Sequence, residues 1–344
     1  MEVRKVDSDN TVSEEEYAGA LPLITEIQRF CLQDGPGIRT TIFMKGCPLH
    51  CPWCHNPETQ SRKRELYYYK DRCTLCGRCA AACPTGATSM VRGPGNKPLL
   101  KINRLRCDGC MKCVEACLSG ARGGVGREFT LLEIVKESLS DGPFYLRSGG
   151  GVTLSGGDPL LFPEFTLRLA RRLKQEAVHV AIETSCFADW RFIGPLLGCV
   201  DLFLVDIKSM DPEKHKQVVG WPLEIILGNI RALVEAEANV RIHLPIIPEF
   251  NNSTDDFRAL LEFLTPLAGR LTGADVLPYH VYGAGKYEFL GRGDSYHYKD
   301  IEEIPPGDLV PLAKALAEAG ITRVSIGGLV GMGSERGLKP HEGG

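Results

Sequence analysis

Apolar and β-branched residues dominate Leu23 to Leu32, which reads as a strand, and Asp34-Gly35-Pro36-Gly37 then forces a turn. With Gly35 opening that turn, Pro36 and Gly37 take its central positions, which suits type II. Arg39 to Met44 is a second β-rich run and ends at Gly46, where the first cysteines begin. Residues 61–124 break the pattern: they are rich in Cys, Gly and Pro with little periodicity, and read as a separate insert. After about residue 128 strand and helix signals alternate. Strands are predicted at Val152–Ser155, Val178–Glu183, Asp201–Asp206, Val240–Ile247, Ala274–Leu277 and Thr322–Ile326. Helices are predicted near Phe165–Gln175, Trp190–Leu197, within 211–236, Thr254–Leu264 and Leu309–Glu318.

This alternation predicts an α/β fold of parallel strands with crossover helices, whose chemistry gathers at the C-terminal strand ends. The first cysteine motif, Gly156-Gly157-Asp158, Glu183, Asp206 and His280 all fall at such ends. The domain reading is a flexible leader at 1–20, a body at 21–60 and 125–330 interrupted by the insert at 61–124, and a flexible Gly-rich tail at 331–344.

Composition narrows the function. A net charge of -3 over 344 residues gives no basic field for nucleic acid and no polybasic patch for a membrane. No apolar stretch approaches a membrane span of about 20 residues, and the acidic start (Glu14, Glu15, Glu16) lacks signal-peptide order. A cytoplasmic location is expected. Fourteen cysteines in a reducing compartment then point to metal rather than disulfides.

Spacing decides which metal. Cys47-Pro-Leu-His-Cys51-Pro-Trp-Cys54 offers three thiolates, which leave one iron of a [4Fe–4S] cluster open for a further ligand. The alternative is a three-cysteine zinc site completed by His50 or His55, but a local knuckle would not account for the β/α body around it. In the insert, Cys73-x2-Cys76-x2-Cys79-x3-Cys83-Pro84 is the bacterial ferredoxin signature, and Cys107-x2-Cys110-x2-Cys113-x3-Cys117 repeats it with Leu118 in the proline's place. Two such runs imply two [4Fe–4S] clusters with crossed fourth ligands. Cys73, Cys76, Cys79 and Cys117 would bind one; Cys107, Cys110, Cys113 and Cys83 would bind the other. Cys31, Cys186 and Cys199 match no ligand spacing and read as buried thiols.

The first motif resembles the radical S-adenosylmethionine (SAM) superfamily. Its flanks, Asp34-Gly35-Pro36-Gly37-Ile38-Arg39-Thr40 and Cys54-His55-Asn56-Pro57-Glu58, resemble the glycyl radical enzyme activating enzymes, and the resemblance covers about residues 22–330. It implies a partial (β/α)6-type TIM barrel with a ferredoxin-like insert. In that family the open iron is chelated by the amino and carboxylate groups of SAM. One electron cleaves the C5′–S bond, and the 5′-deoxyadenosyl radical takes a hydrogen atom from the Cα of a glycine on a C-terminal loop of the partner glycyl radical enzyme. The implied cofactors are SAM and three [4Fe–4S] clusters, with flavodoxin or ferredoxin as reductant.

The resemblance assigns roles residue by residue. Cys47, Cys51 and Cys54 hold the catalytic cluster, and Asn56 belongs to the cofactor-binding flank. Ser155-Gly156-Gly157-Asp158-Pro159 resembles the Gly-Gly-Glu-Pro segment that meets the methionine amino group, with Asp one methylene shorter than Glu. Glu183, Asp206 and Lys208 stand where relatives contact SAM, and the acidic pair can hold a monovalent cation; the alternative is an Asp206–Lys208 ion pair. His280, in Pro278-Tyr279-His280, stands where a histidine reaches the ribose end of SAM. His243 replaces an arginine that contacts the SAM carboxylate, so either His243 makes one hydrogen bond or Arg241 takes the job. Cys186, after the acidic strand end, is a candidate wall residue. Asp34 and Arg39 are candidates for gripping the partner's glycine loop, against a role confined to the turn.

The insert is similar to that of the larger activating enzymes, where an electron relay is the natural role and docking or structural roles stay open. With the opening Leu23-Ile-Thr-Glu-Ile-Gln-Arg-Phe30 it looks most like activating enzymes of benzylsuccinate or alkylsuccinate synthases, or of arylacetate decarboxylases. Two other readings remain: radical SAM chemistry on a small molecule or peptide, and an electron-transfer protein that binds no SAM.

Overall fold

The predicted alternation builds one eight-stranded sheet beside two small two-stranded ones. In the computed structural model, which describes residues 21–327, the strands run as follows. The first two, β1 (Leu23–Cys31) and β2 (Arg39–Lys45), precede the insert strands β3 (Glu65–Tyr68), β4 (Thr88–Arg92), β5 (Pro98–Ile102) and β6 (Arg122–Val125). Then come β7 (Gly151–Gly156), β8 (His179–Thr184), β9 (Leu202–Asp206), β10 (Val240–Ile246), β11 (Gly273–Pro278) and β12 (Val324–Ile326). The leader expected over 1–20 and the tail expected over 331–344 lie outside the described residues.

The large sheet is ordered β1-β2-β7-β8-β9-β10-β11-β12. Its strands from β2 to β12 are parallel, while β1 pairs antiparallel with β2. The sheet is therefore an open, partial barrel with a hairpin at one edge. In the connection between β1 and β2, Gly37 takes φ 71°, a left-handed conformation that favours glycine. A Cβ on Gly37 would also lie 2.4 Å from the Gly150 nitrogen, so the turn packs directly on the chain entering β7.

Side-chain alternation sorts the parallel strands into two faces. Ile42, Met44, Val152, Leu154, Val180, Ile182, Phe203, Val205, Ile242 and Leu244 share one core with the crossover helices. Helix Pro163–Gln175 presents Phe165, Leu169 and Leu173 to it, each contributing about 2 kcal/mol by burial. The opposite face carries Thr41, Thr153, Ser155, Glu183, Asp206, His243 and Asp275, with a small apolar cluster of Ala181, Leu202 and Leu204. The inside of the barrel is thus polar, and its groups need partners there.

Helix Leu131–Leu139, absent from the sequence reading, starts with a capping box in which Thr130 Oγ1 accepts from the Glu133 backbone N–H and Glu133 accepts from that of Thr130. Within the insert, β3 and β6 pair antiparallel as a stem, β4 and β5 form a hairpin, and each cysteine run contributes one short helix, Arg78–Ala81 and Lys112–Glu115. The stem is tied to the barrel by buried Lys45, whose Nζ donates to Glu65 Oε2 at 2.7 Å and to the Glu58 carbonyl at 2.6 Å.

Candidate active site

One cavity of about 350 Å³ opens at the C-terminal strand ends. Cys47, Cys51, Cys54, Asn56, Gly156, Gly157, Asp158, Glu183, Asp206, Lys208, His243, His280 and Asp34 all line it. Arg39, Arg241 and Cys186 do not.

The cysteine loop is held from several sides. Gly46 N–H donates to the Thr59 carbonyl at 2.6 Å and Cys47 N–H to that of Gln60 at 3.1 Å. Tyr287 O–H donates to the Cys54 carbonyl at 3.0 Å, and Trp221 Nε1–H to that of Pro48 at 2.6 Å. Buried Trp53 packs on Phe250 with ring centroids 4.4 Å apart. Burial pushes all three thiols up, Cys54 to about 12, with neighbouring Cys51 adding to it. Cys51 is buried, Cys47 and Cys54 are half-buried, and all three are free and line one cavity, a donor set whose thiolates a bound metal group would stabilise. His50 is exposed and outside the cavity wall, and His55 stacks on His280 with centroids 4.1 Å apart.

The Gly156-Gly157-Asp158 segment differs from expectation in what it approaches. A Cβ on Gly157 would lie 2.0 Å from the Gly46 carbonyl oxygen, and one on Gly156 2.3 Å from backbone atoms of Met44. The glycines admit the cysteine loop's own backbone, with Gly157 N–H donating to Met44 O at 2.8 Å and Asp158 N–H to Gly46 O at 2.9 Å. Both Asp158 oxygens are also occupied. Oδ1 accepts from Leu160 N–H (3.0 Å) and Thr184 O–H (2.8 Å), and Oδ2 from Ser185 N–H (3.0 Å) and O–H (2.5 Å). Asp158 therefore fastens β7 to β8 and has no free lone-pair direction for an ammonium group, which corrects its expected role.

Arg39 is likewise corrected. It is fully buried at the N-terminal end of β2, where it donates to Thr153 Oγ1 (2.6 Å) and the Val152 carbonyl (2.6 Å). A partner loop cannot reach it. Asp34 does face the cavity; it accepts from Thr41 Oγ1 at 2.5 Å, and burial followed by the charge of Glu183 raises its pKa.

The strand ends carry a chain of charges. Lys208 Nζ lies 3.1 Å from Asp206 Oδ2. Burial would lower Lys208, but Asp206 and nearby Cys51 outweigh it and hold the ammonium above its ordinary pKa. His243 sits between Glu183 (Nδ1 to Oε1 3.6 Å) and Asp275 (Nε2 to Oδ2 3.3 Å). Burial opposes its charge, yet Asp275 and Glu183 raise its pKa to about 10, which favours the imidazolium form. Its Nδ1 has no hydrogen-bond partner, the 3.6 Å contact to Glu183 being charge pairing only. Glu183 is pulled down, the burial that would raise it being outweighed by His243 and the Ser155 hydroxyl. Lys208 and His243 thus stand beside the acidic pair and relieve its repulsion. Arg241 is fully engaged below the cavity, with Nε and Nη2 each 2.5 Å from Asp275 oxygens; of the two candidates, His243 alone faces the cavity. Cys186 is fully buried in the core, its carbonyl accepting from Asn229 Nδ2 at 2.8 Å.

Sequence reasoning missed several of these residues. Asp275, a lone acid in the apolar strand Gly273–Pro278, was the available signal for a buried cation partner. The helix Ala284–Phe289 and its flank were also missed: Lys286 Nζ donates to Asn56 Oδ1 (2.8 Å) and Glu58 Oε1 (2.6 Å), and Arg292 Nη1 donates to the Pro57 carbonyl (3.1 Å). In the insert, Cys73, Cys76, Cys79 and Cys117 line one pocket, while Cys107 and Cys110 line another. No helix among the described residues is long and apolar enough to cross a membrane.

Comparison with known proteins shows the family. The Radical SAM superfamily model matches residues 103–264, a 4Fe-4S dicluster domain matches 72–121, and a 4Fe-4S single cluster domain matches 33–80. The chain is 55% identical to the benzylsuccinate synthase activating enzyme of Thauera aromatica, over 91% of this chain and 94% of that one. It is 41% identical to the choline trimethylamine-lyase activating enzyme of Oleidesulfovibrio alaskensis (78% and 87%) and 34% identical to the pyruvate formate-lyase 2-activating enzyme of Escherichia coli (89% and 92%). The chain belongs to the radical SAM glycyl radical enzyme activating enzymes, with an α/β body and iron–sulfur domains.

Proposed function

We propose that this protein installs the glycyl radical of a benzylsuccinate synthase-type partner, with Cys47, Cys51 and Cys54 holding the catalytic [4Fe–4S] cluster. The carrying observation is that these three cysteines share one cavity with Lys208, His243, Glu183 and His280. The bound cluster and SAM supply reductive cleavage and removal of a glycine Cα hydrogen, giving 5′-deoxyadenosine and methionine.

The chain's own residues bind and orient. Lys208 and His243 present positive charge to the SAM carboxylate, and the carboxylates of Glu183 and Asp206 face its ammonium. Gly156, Gly157 and Asp158 fix the cysteine loop against β7. His280, stacked on His55, and Asn56, held by Lys286, form the wall for the nucleoside end. Asp34 stands at the side from which the partner's C-terminal glycine loop enters. In the insert, Cys73, Cys76, Cys79 and Cys117 would hold one further cluster and Cys107, Cys110, Cys113 and Cys83 another, which would supply an electron relay from a flavodoxin or ferredoxin; the pocket shared by the first four cysteines supports that ligand set.

The test is anaerobic reconstitution, reduction and addition of SAM, with 5′-deoxyadenosine quantified and a glycyl radical sought by EPR on an added benzylsuccinate synthase-type partner. Product and radical from the wild type but not from Cys51→Ala are expected. Cleavage of SAM without radical transfer to that partner would reject the partner assignment, and no cleavage at all would reject the catalytic one.

A further inference from the structure

Arg122 opens β6 inside the insert and is only 4% exposed. Two of its donor nitrogens, Nε and Nη1, meet no acceptor among the described residues. The third, Nη2, lies 3.8 Å from Cys79 Sγ and 3.5 Å from Thr88 Oγ1, and the guanidinium carbon sits 4.8 Å from the Tyr68 ring centroid. An aromatic face and a hydroxyl are weak company for a buried cation, whose desolvation is costly unless an anion stands beside it.

The surroundings say which anion. Arg122 lines the same pocket as Cys73, Cys76, Cys79 and Cys117, the four thiols of one crossed ligand set. Four thiolates around a [4Fe–4S] core leave the whole group negatively charged, and its sulfurs accept hydrogen bonds. The internal repeat makes the placement asymmetric. The fifth residue after the last cysteine of each run is buried, yet it is Thr88 in the first run and Arg122 in the second. Cations also border the other site, but none is both buried and unpaired: Arg104 donates to the Leu66 and Phe289 carbonyls, Arg64 pairs with Glu128, and Lys63 is exposed to solvent.

We propose that Arg122 is the charge partner of the cluster held by Cys73, Cys76, Cys79 and Cys117, donating its free N–H groups to the cluster's sulfurs and raising the reduction potential of that cluster alone. One-electron reduction adds one negative charge to the group, with the electron coming from an external one-electron donor, and the adjacent guanidinium stabilises the reduced form over the oxidised one. The inference rests on the two-cluster reading of the insert. Arg122 touches neither SAM nor the partner glycine, so it acts as a tuning residue.

The experiment is a dithionite-driven potentiometric titration of the reconstituted full chain, followed by EPR, with iron counted in every sample. The signal that changes on adding SAM identifies the Cys47–Cys54 cluster, leaving two auxiliary midpoints. Arg122→Gln, retaining about twelve irons per chain, is expected to shift one auxiliary midpoint to lower potential, with the other two unmoved; Arg122→Lys should restore part of the shift. Unmoved midpoints in Arg122→Gln at full iron content overturn the proposal. Loss of iron from both Arg122→Gln and Arg122→Lys also overturns it, in favour of a structural role. About four irons in the wild type would instead reject the two-cluster reading on which it rests.

Discussion

His243 Nε2 lies 3.3 Å from Asp275 Oδ2, and the parallel register of β10 on β11 sets these residues directly opposite each other. The register of β10 on β9 places His243 against Asp206, so one histidine is flanked by carboxylates from both neighbouring strands. Asp275 also takes both Arg241 contacts and a hydroxyl from Ser325. Fully buried Asp275 thus balances two buried cations. Asp275→Asn is expected to destabilise the barrel by about 3–5 kcal/mol, the cost of stranding buried charge. Urea denaturation of the cluster-free chain measures it, and a loss under about 1 kcal/mol would contradict this account.

The His243 network also has a pH signature. Because His243 is raised to about 10 by Asp275 and Glu183 against the effect of burial, its contribution to stability is complete below its unfolded pKa. That unfolded value is about 6.5. The contribution declines as pH rises through the folded value. Asp275 is held below its ordinary range by His243 and Arg241 despite burial, so its contribution is present above about pH 4 and lost on acidification. The melting-temperature gap between wild type and His243→Gln should therefore be widest near pH 5–6 and narrow steadily toward pH 10. A gap independent of pH would refute the imidazolium.

Asp158 accepts four hydrogen bonds from Leu160, Thr184 and Ser185 in a site that is 1% exposed. Asp158→Asn turns an amide donor toward donors, and Asp158→Glu adds a methylene to a filled space. Both are expected to weaken SAM binding about tenfold, equivalent to about 1.4 kcal/mol, at unchanged iron content. Equilibrium dialysis against SAM decides; tighter binding by the Glu variant would mean that the carboxylate meets SAM directly.

Replacing Cys47, Cys51 and Cys54 together with alanine should reduce bound iron from about twelve to about eight per chain. SAM cleavage should vanish while the EPR signals of the insert remain. Complete loss of iron would show instead that the insert depends on the catalytic site for its assembly.

Particular residues show where the sequence was readable. Helix Thr254–Leu264 was legible from its apolar period, and the structure adds a capping box at Ser253 that fixes its start. The cysteine runs, the Gly156–Asp158 segment and the acids at strand ends carry local spacing that survives folding. The partners of Asp158 and His243 were hidden because they come from neighbouring strands, and pairing across a parallel sheet depends on register rather than on nearby sequence. Arg39 misled because an arginine beside an exposed turn and one buried under the sheet look alike in one dimension. Helix Leu131–Leu139 had a legible signal in Thr130 and Glu133 that the irregular cysteine-rich stretch before it obscured.

The β3–β6 stem has a consequence for how the chain assembles. Strands β2 and β7 are neighbours in the sheet, yet about a hundred residues separate Lys45 from Gly151. Once Glu65 lies against Val125, roughly sixty of those residues hang outside the contour that must close. The effective loop is then about halved, which lowers its closure entropy by about 0.6 kcal/mol and brings the two central strands within easier diffusive reach. The insert is in this sense a side branch whose early zippering shortens the search for the barrel.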